Sequence, residues 1–550
     1  MSARAPILAA ALLLSTAVPG EGQRWTLPAG LQERVDAVFD FVERDAPGCA
    51  LGVVREGALV YGRGYGLANL DWGIPIGTST VFDIGSVSKQ FTATAVALLD
   101  MDGVLSLDDD VRRWVPELPD YGRTLTLRHL LNHTSGMRDY LTLESIAGTD
   151  FDNVYDELDG VRMITRQQGL NFPPGNEYLY SNSGYLLLAN IVRRATGASL
   201  RRFLEARVFD PLGMAGTSVW DDNGEVLAER ATGYQRGDAG WRISHAWNFQ
   251  MGGDGQVITS IEDLARWDAN FYDPVVGGAG LVDRLHTRGV LTGGDTIPYA
   301  LGLVVDEYRG ARRVHHGGSW AGFRAQLTRF PDQKTSVIVL CNRADASPGA
   351  YATAVADVVL ADRFPEAVAE EGAGREVAPD GVDLTAEQLR PWAGLYRHDG
   401  RPEYVEVDLD GGALFVEMRG RRFRLLPRSA EEFEAEGVGT VLTFITGGSR
   451  VRVGSTELGR VERGRWEGLQ ELAGTYHSAE LETDFEVTVV DGRLHYRRPG
   501  EEGTALKRGA GDEFYGPSAS LAFERAGGRG LAFRLYAGRV TDLRFERAGG

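Results

Sequence analysis

The chain has 550 residues, 43% hydrophobic and 25% charged, and a formal net charge of −19. That balance is ordinary for soluble globular protein, and the length calls for roughly three or four compact units. The negative charge argues against a nucleic-acid or anionic-membrane partner; two cysteines, with no Cys/His cluster at ligand spacing, argue against a metal centre.

The first residues read as a leader. Arg4 supplies a short basic region, and Pro6 to Val18 is apolar but too short to span a bilayer. Ser15-Thr16-Ala17 fits a cleavage site. A signal peptide over residues 1–22, and hence a periplasmic or secreted protein, is the expectation. No later run is apolar for long enough to insert stably in a membrane. Export makes disulfides permissible, and the chain has two cysteines, Cys49 and Cys341.

A helix is expected around Leu31 to Glu43, then two strands within residues 48–69 about the turn Arg55-Glu56-Gly57. Residues 86–101 carry Phe91, Ala95, Leu98 and Leu99 at helical spacing, with Gly103 beyond the end. Short helices and long loops fill 104–300. Residues 311–342 read as a three-stranded meander whose last turn opens at Pro331-Asp332. Strands at both ends with helices between them predict a mixed α/β domain (24–365) built on one mainly antiparallel sheet flanked by helices.

Residues 366–384 are acidic and rich in Ala, Gly and Pro, as in a linker. Beyond them the chain repeats itself. LRPWAGLYR at 389–397 resembles LQELAGTYH at 469–477, so that Gly394 and Gly474 lie 80 residues apart. Leu414 and Leu494, each just after an Asp-Gly turn, keep the same offset. The pattern predicts two small barrel-like β-modules, at 385–462 and 465–550.

The chemistry starts from a lysine. Of 58 Lys and Arg residues only Lys89, Lys334 and Lys507 are lysine. Arginine stays protonated in proteins, whereas a desolvated lysine can become neutral. Lys89 follows Ser86 by three residues, so a helix places both on one face, an arrangement that activates a serine without histidine. Ser86 at a helix start also meets the positive end of the macrodipole. Two further segments accompany this Ser-x-x-Lys: Tyr180-Ser181-Asn182, leading into a helix, and His316-Gly317-Gly318-Ser319 on a strand.

Together, in this order, the three motifs resemble those of the serine β-lactamase and penicillin-binding protein family, above all the class C β-lactamases and their esterase and D-aminopeptidase relatives. The resemblance runs from about residue 30 to 365, and the C-terminal repeats resemble the barrel modules of the D-aminopeptidase branch. It implies Ser86 as nucleophile, with Lys89 and Tyr180 as the proton-transferring groups. It also implies Asn182 on the substrate amide, and an oxyanion hole from the N–H groups of Ser86 and Ser319 beside His316 and Gly318. His316 stands where β-lactamases usually have lysine, and a neutral histidine anchors a carboxylate less well. His133 in the NHTSG segment reads as a loop residue making backbone hydrogen bonds, and Asp254 as a turn residue.

The resemblance further implies that the first and last strands of the sheet are neighbours. Cys49 and Cys341 then lie close, as a disulfide or as two buried thiols. It implies, too, a loop from a C-terminal module directed at the catalytic pocket. The expectation is a serine hydrolase acting without a cofactor on amides or esters of short peptides or other small molecules, D-aminoacyl substrates first. A β-lactamase, a carboxylesterase, and a penicillin-binding or peptidoglycan-sensing protein that acylates without turnover stay open, as does the oligomeric state.

Overall fold

The structure, a computed structural model, describes residues 26–150, 153–246, 248–364, 384–418, 420–454, 456–464 and 468–549. The leader assigned to 1–22 lies outside the described residues, as does the linker assigned to 366–384 apart from Leu384.

Alternation along the first strand sets the layers. In β1 (Cys49–Arg55), Cys49, Leu51 and Val53 face one core, and Ala50 and Val54 face another, as the period-2 pleat requires. The strand is therefore buried on both sides. It pairs with β2 (Ala58–Tyr65) across a turn in which Glu56 and Gly57 both have positive φ, the backbone of a tight hairpin. Four later strands complete the sheet: β3 (Val304–Tyr308), β4 (Ala311–Trp320), β5 (Phe323–Phe330) and β6 (Thr335–Cys341). The order is β3-β4-β5-β6-β1-β2, antiparallel throughout. The three-stranded meander is present as read; β3, a short strand next to it, was not foreseen.

Helices cover both faces. α1 (Ala29–Asp36) and α5 (Pro348–Val359) pack on the side of Cys49 and Val339. On the other side lie α2 (Lys89–Met101), α3 (Asn182–Thr196) and α4 (Ile261–Ala269). Gly52 lets α4 approach, because a Cβ there would sit 2.5 Å from Ile261 Cγ2. The expected helix at 86–101 begins later than predicted: Gly85–Ser88 is a 3₁₀ turn and α2 starts at Lys89. The cause is local. Gly85 has a φ of +49°, and its N–H is drawn 2.7 Å to the Asp83 carboxylate, which tightens the entry.

After residue 384 the chain is almost all strand. Eight strands from Gly394–His398 to Thr456–Val461 close a barrel. Nine strands from Gly474–Ser478 to Val540–Arg547 form a second sheet. Its end strands, Thr504–Ala505 and Lys507–Arg508, are a single residue apart in the chain, so it nearly closes as well. The 80-residue offset is kept in bonding. Tyr396 Oη donates to Trp392 O at 2.9 Å, and Tyr476 Oη to Leu472 O at 2.7 Å. Arg460 donates to the carbonyls of Pro391 and Ala393, and Arg547 to those of Glu471 and Ala473. Each module opens with a short turn clasped by a tyrosine and an arginine, and those turns are the repeated sequence.

Cys49 faces Cys341 in the β1–β6 register, and the two are disulfide-bonded. The bond spans 292 residues of sequence, and closing so long a loop constrains the unfolded chain. Denatured, unreduced protein is expected to show no reactive thiol and to show two after reduction. Two thiols before reduction would exclude the bond.

Candidate active site

Lys89 is fully buried on the first turn of α2. Its Nζ donates to Ser86 Oγ at 3.2 Å, to Asn182 Oδ1 at 2.9 Å and to the Asp254 carbonyl at 2.6 Å. These three acceptors use the three donors of an ammonium. Burial pulls its pKa down to about 8, against the opposing pull of Asp254 and Asp139. Lys89 therefore gives up its proton much nearer neutral pH than a solvated lysine does.

The loop before α3 delivers Tyr180, and His133 holds that loop. His133 stands at a φ of +58°, accepts the Leu179 N–H on its carbonyl at 3.0 Å, and accepts the Ser181 N–H on Nδ1 at 3.2 Å. This is the backbone-holding role expected of it. Burial keeps the imidazole neutral by pushing its pKa well down. The Tyr180 ring lies 4.1 Å from the His133 ring, with Lys89 Nζ 4.9 Å from its centroid. The Tyr180 hydroxyl is enclosed and has no regular hydrogen-bond partner among the described residues. Burial raises its pKa well above the usual phenol value; the nearby Ser86 hydroxyl opposes this only in part. Tyr180 is therefore a phenol, not a phenolate, at neutral pH.

β4 runs past Ser86 along an open edge. β3 pairs only as far as His315, so residues 316–320 are bonded to β5 on one side and face the Gly85–Ser88 turn on the other. The contact is tight. A Cβ on Gly318 would lie 1.9 Å from Ile84 O and 3.2 Å from Ser86 N, and one on Gly85 would lie 2.8 Å from Ser319 N. The N–H groups of Ser86 and Ser319 meet in this seam. His316 begins this stretch, unpaired on the β3 side, and is among the residues lining the cleft. It is 5% exposed; Nδ1 faces Gly317 O at 2.6 Å, and Nε2 faces the Tyr299 hydroxyl at 2.9 Å. The pairing assigns the proton to Nδ1 and leaves Nε2 as acceptor. Burial holds its pKa down at about 3. Both nitrogens are engaged, and the ring is neutral.

These groups line one cleft of about 660 Å³, with Ser86, Tyr180, Asn182, Gly318 and Ser319 around it. Three contributors were not read from the sequence. Asp254 acts through its carbonyl on Lys89, and its carboxylate accepts from Tyr140 at 3.2 Å. Asp139 caps the helix Tyr140–Ala147 through the Thr142 N–H at 3.0 Å, and accepts the Asn182 N–H at 2.7 Å. Arg539 comes from the second C-terminal module: its guanidinium lies 4.8 Å from the Tyr180 ring centroid and lines the cleft. Asp139 is a residue type that caps helices, but its reach to Asn182, 43 residues further on, leaves no local mark. Nothing local marks Arg539.

The family model described as Beta-lactamase matches residues 31–361. Penicillin-binding protein 4* of Bacillus subtilis is 30% identical over 71% of this chain and 88% of its own. A D-aminopeptidase of Gluconobacter oxydans is 26% identical over 91% of this chain and 96% of its own. Among solved structures, the octameric penicillin-binding protein homologue from Pyrococcus abyssi superposes with a TM-score of 0.56 at 21% identity, covering 87% of this chain and 99% of that one. That likeness concerns the fold.

The seam between β4 and the Ser86 turn is directly testable. Gly318→Ala must displace backbone, and overpacking of this kind costs about 1–3 kcal/mol. Gly317→Ala meets first the end of the Gln326 side chain, at 3.1 Å, which can move. Thermal melts should show Gly318→Ala clearly below wild type and Gly317→Ala much nearer to it. Equal melting temperatures for the two variants would mean that the seam is loose.

Proposed function

The chain belongs to the beta-lactamase family and is a serine hydrolase of peptidase or amidase type, and from that premise we propose that it cleaves amide or ester bonds of short D-amino-acid-containing compounds through a Ser86 acyl-enzyme, D-aminoacyl substrates first. The observation that carries this is the hydrogen bond from a buried lysine to Ser86 Oγ. In the neutral form Lys89 takes the Ser86 proton, and the oxygen attacks the substrate carbonyl. The N–H groups of Ser86 and Ser319 receive the developing oxyanion; fixed donors of this kind are each worth several kcal/mol in the transition state. Tyr180, kept as a phenol, donates a proton to the leaving nitrogen and is reprotonated from Lys89. Water then releases the acyl group by the reverse route. Asn182, with Oδ1 on Lys89, lines the cleft where the substrate amide lies.

The D-aminoacyl preference is supported by the D-aminopeptidases among the relatives. The neutral, fully engaged His316 supports it too, since it is a poor anchor for a β-lactam carboxylate. In this reading the catalytic unit spans 24–365 and the two β-modules span 385–462 and 465–550. The protein acts outside the cytoplasm after removal of the leader, and no cofactor or metal takes part. A β-lactamase, a carboxylesterase, or a penicillin-binding protein that acylates without turnover are the rivals; a burst with no steady state would favour the last.

Lys89→Arg keeps the charge but cannot accept a proton. Its kcat/KM is expected to fall below about a tenth of wild type, a loss of more than roughly 1.4 kcal/mol. In the wild type kcat/KM should rise with pH through about 8, because the active base is the deprotonated lysine. A flat profile between pH 7 and 9, or an active Lys89→Arg, removes Lys89 from the base role.

A panel of D-aminoacyl amides, p-nitrophenyl esters and a chromogenic cephalosporin separates the substrate classes. The D-aminoacyl compounds should have the highest kcat/KM. Tyr180→Phe should lose far more on amides than on p-nitrophenyl esters, whose leaving group departs without a proton. A cephalosporin turned over faster than every D-aminoacyl compound would make the protein a β-lactamase instead.

A further inference from the structure

Among the described residues lining the cleft, the one exposed charge comes from the far end of the chain. Arg539 sits at the turn between two strands of the second module, β7 (Arg529–Ala537) and β8 (Val540–Arg547). That turn is fastened to the catalytic domain. Arg539 O accepts from Asn171 Nδ2 at 3.0 Å, and Thr541 N–H donates to Asn171 Oδ1 at 2.8 Å. Buried Arg138 donates to the carbonyls of Thr541 and Asp542 and pairs with Glu480 at 2.7 Å. The backbone of the turn is thus clamped from both sides, and the guanidinium rests on the Tyr180 ring.

The side chain itself keeps donors to spare. It is 42% exposed and forms one ion pair, at 3.6 Å, with Oδ2 of the buried Asp139, an oxygen that also accepts the Asn182 N–H. Among the described residues no hydrogen bond from the guanidinium is formed. The remaining charges give an ammonium no partner. Asp254 is the one carboxylate among the described residues lining the cleft; it is 7% exposed and bonded to Tyr140, with Lys89 beside it. His316 is neutral with both nitrogens engaged. A guanidinium is a rigid fork matched to a carboxylate.

We propose that Arg539 is a receptor for a carboxylate on the substrate. Within the substrate class proposed above, on which this rests, the preferred compounds are then D-aminoacyl amides whose leaving part is an amino acid with a free carboxylate. Arg539 selects for charge; Ser86, Lys89 and Tyr180 carry the chemistry.

The test uses D-alanyl-D-alanine and D-alanyl-D-alaninamide, which share the scissile bond and the free amine and differ only in the carboxylate. Each is titrated against labelling of Ser86 by a fluorophosphonate, so that binding or acylation registers as protection whether or not turnover follows. The wild type should need at least about tenfold less of the carboxylate than of the carboxamide for half-protection, as a charge-assisted pair provides. Arg539→Gln should bring that ratio near one, and Arg539→Lys should restore part of it. Because the ratio is taken within each variant, a general loss of reactivity cancels. A wild-type ratio near or below one, a ratio unchanged in Arg539→Gln, or no protection by either compound overturns the proposal. Failure of the fluorophosphonate to label Ser86 in the wild type would instead overturn the nucleophile assignment, which keeps the two failures apart.

Discussion

Burying an ammonium is the constraint around which this catalytic domain is organised. An unsolvated charge is expensive in a protein interior unless it is hydrogen-bonded, and Lys89 meets that demand with three acceptors from three separate pieces of chain. α3 contributes Asn182, the segment before Val257 contributes the Asp254 carbonyl, and the 3₁₀ turn contributes Ser86. Those pieces are held in turn: Thr92 Oγ1 donates to Gly253 O at 2.6 Å, and Val257 N–H donates to Ser88 Oγ at 3.0 Å. The imperfect compensation is the useful part, because it brings the deprotonation of the lysine down towards physiological pH. A better solvated lysine would be a permanent cation and no base.

The same burial divides the roles of the neighbours. Burial drives three of the groups around Lys89 towards their uncharged forms: Tyr180 remains a phenol, and His133 and His316 remain neutral imidazoles. A neutral His133 can accept the Ser181 N–H and so set the loop that carries Tyr180. A neutral His316 can accept from Tyr299. The strand it belongs to matters more than its ring, since Gly318 allows the backbone of β4 to touch the Ser86 turn.

Much of this was legible because the chemistry is written in side chains at short spacing. Ser86 and Lys89 are one turn apart, Tyr180 and Asn182 flank a helix start, and His316 to Ser319 lie on one strand. The alternation in the meander and the 80-residue repeat were legible for the same reason: they are local periodicities. What was missed has no such signature. Asp254 acts through a carbonyl, which every residue has. The start of α2 depends on the positive φ of Gly85 and a bond to Asp83, and β3 is a short strand that exists because β4 is beside it. Arg539 is one arginine among many, and only the docking of the second module on Arg138 and Asn171 brings it to Tyr180.

The clasp that opens each β-module has a consequence for how such a protein can change. Tyr476 and Arg547 fasten the start of the second module at the end remote from the Arg539 turn in the strand order of β7 and β8, as Tyr396 and Arg460 fasten the first. What folds the module is thereby separated from what the module shows to the cleft. The turn is an interchangeable tip on a fixed handle. The side chain it presents to the cleft can change while the clasp that opens the module stays as it is.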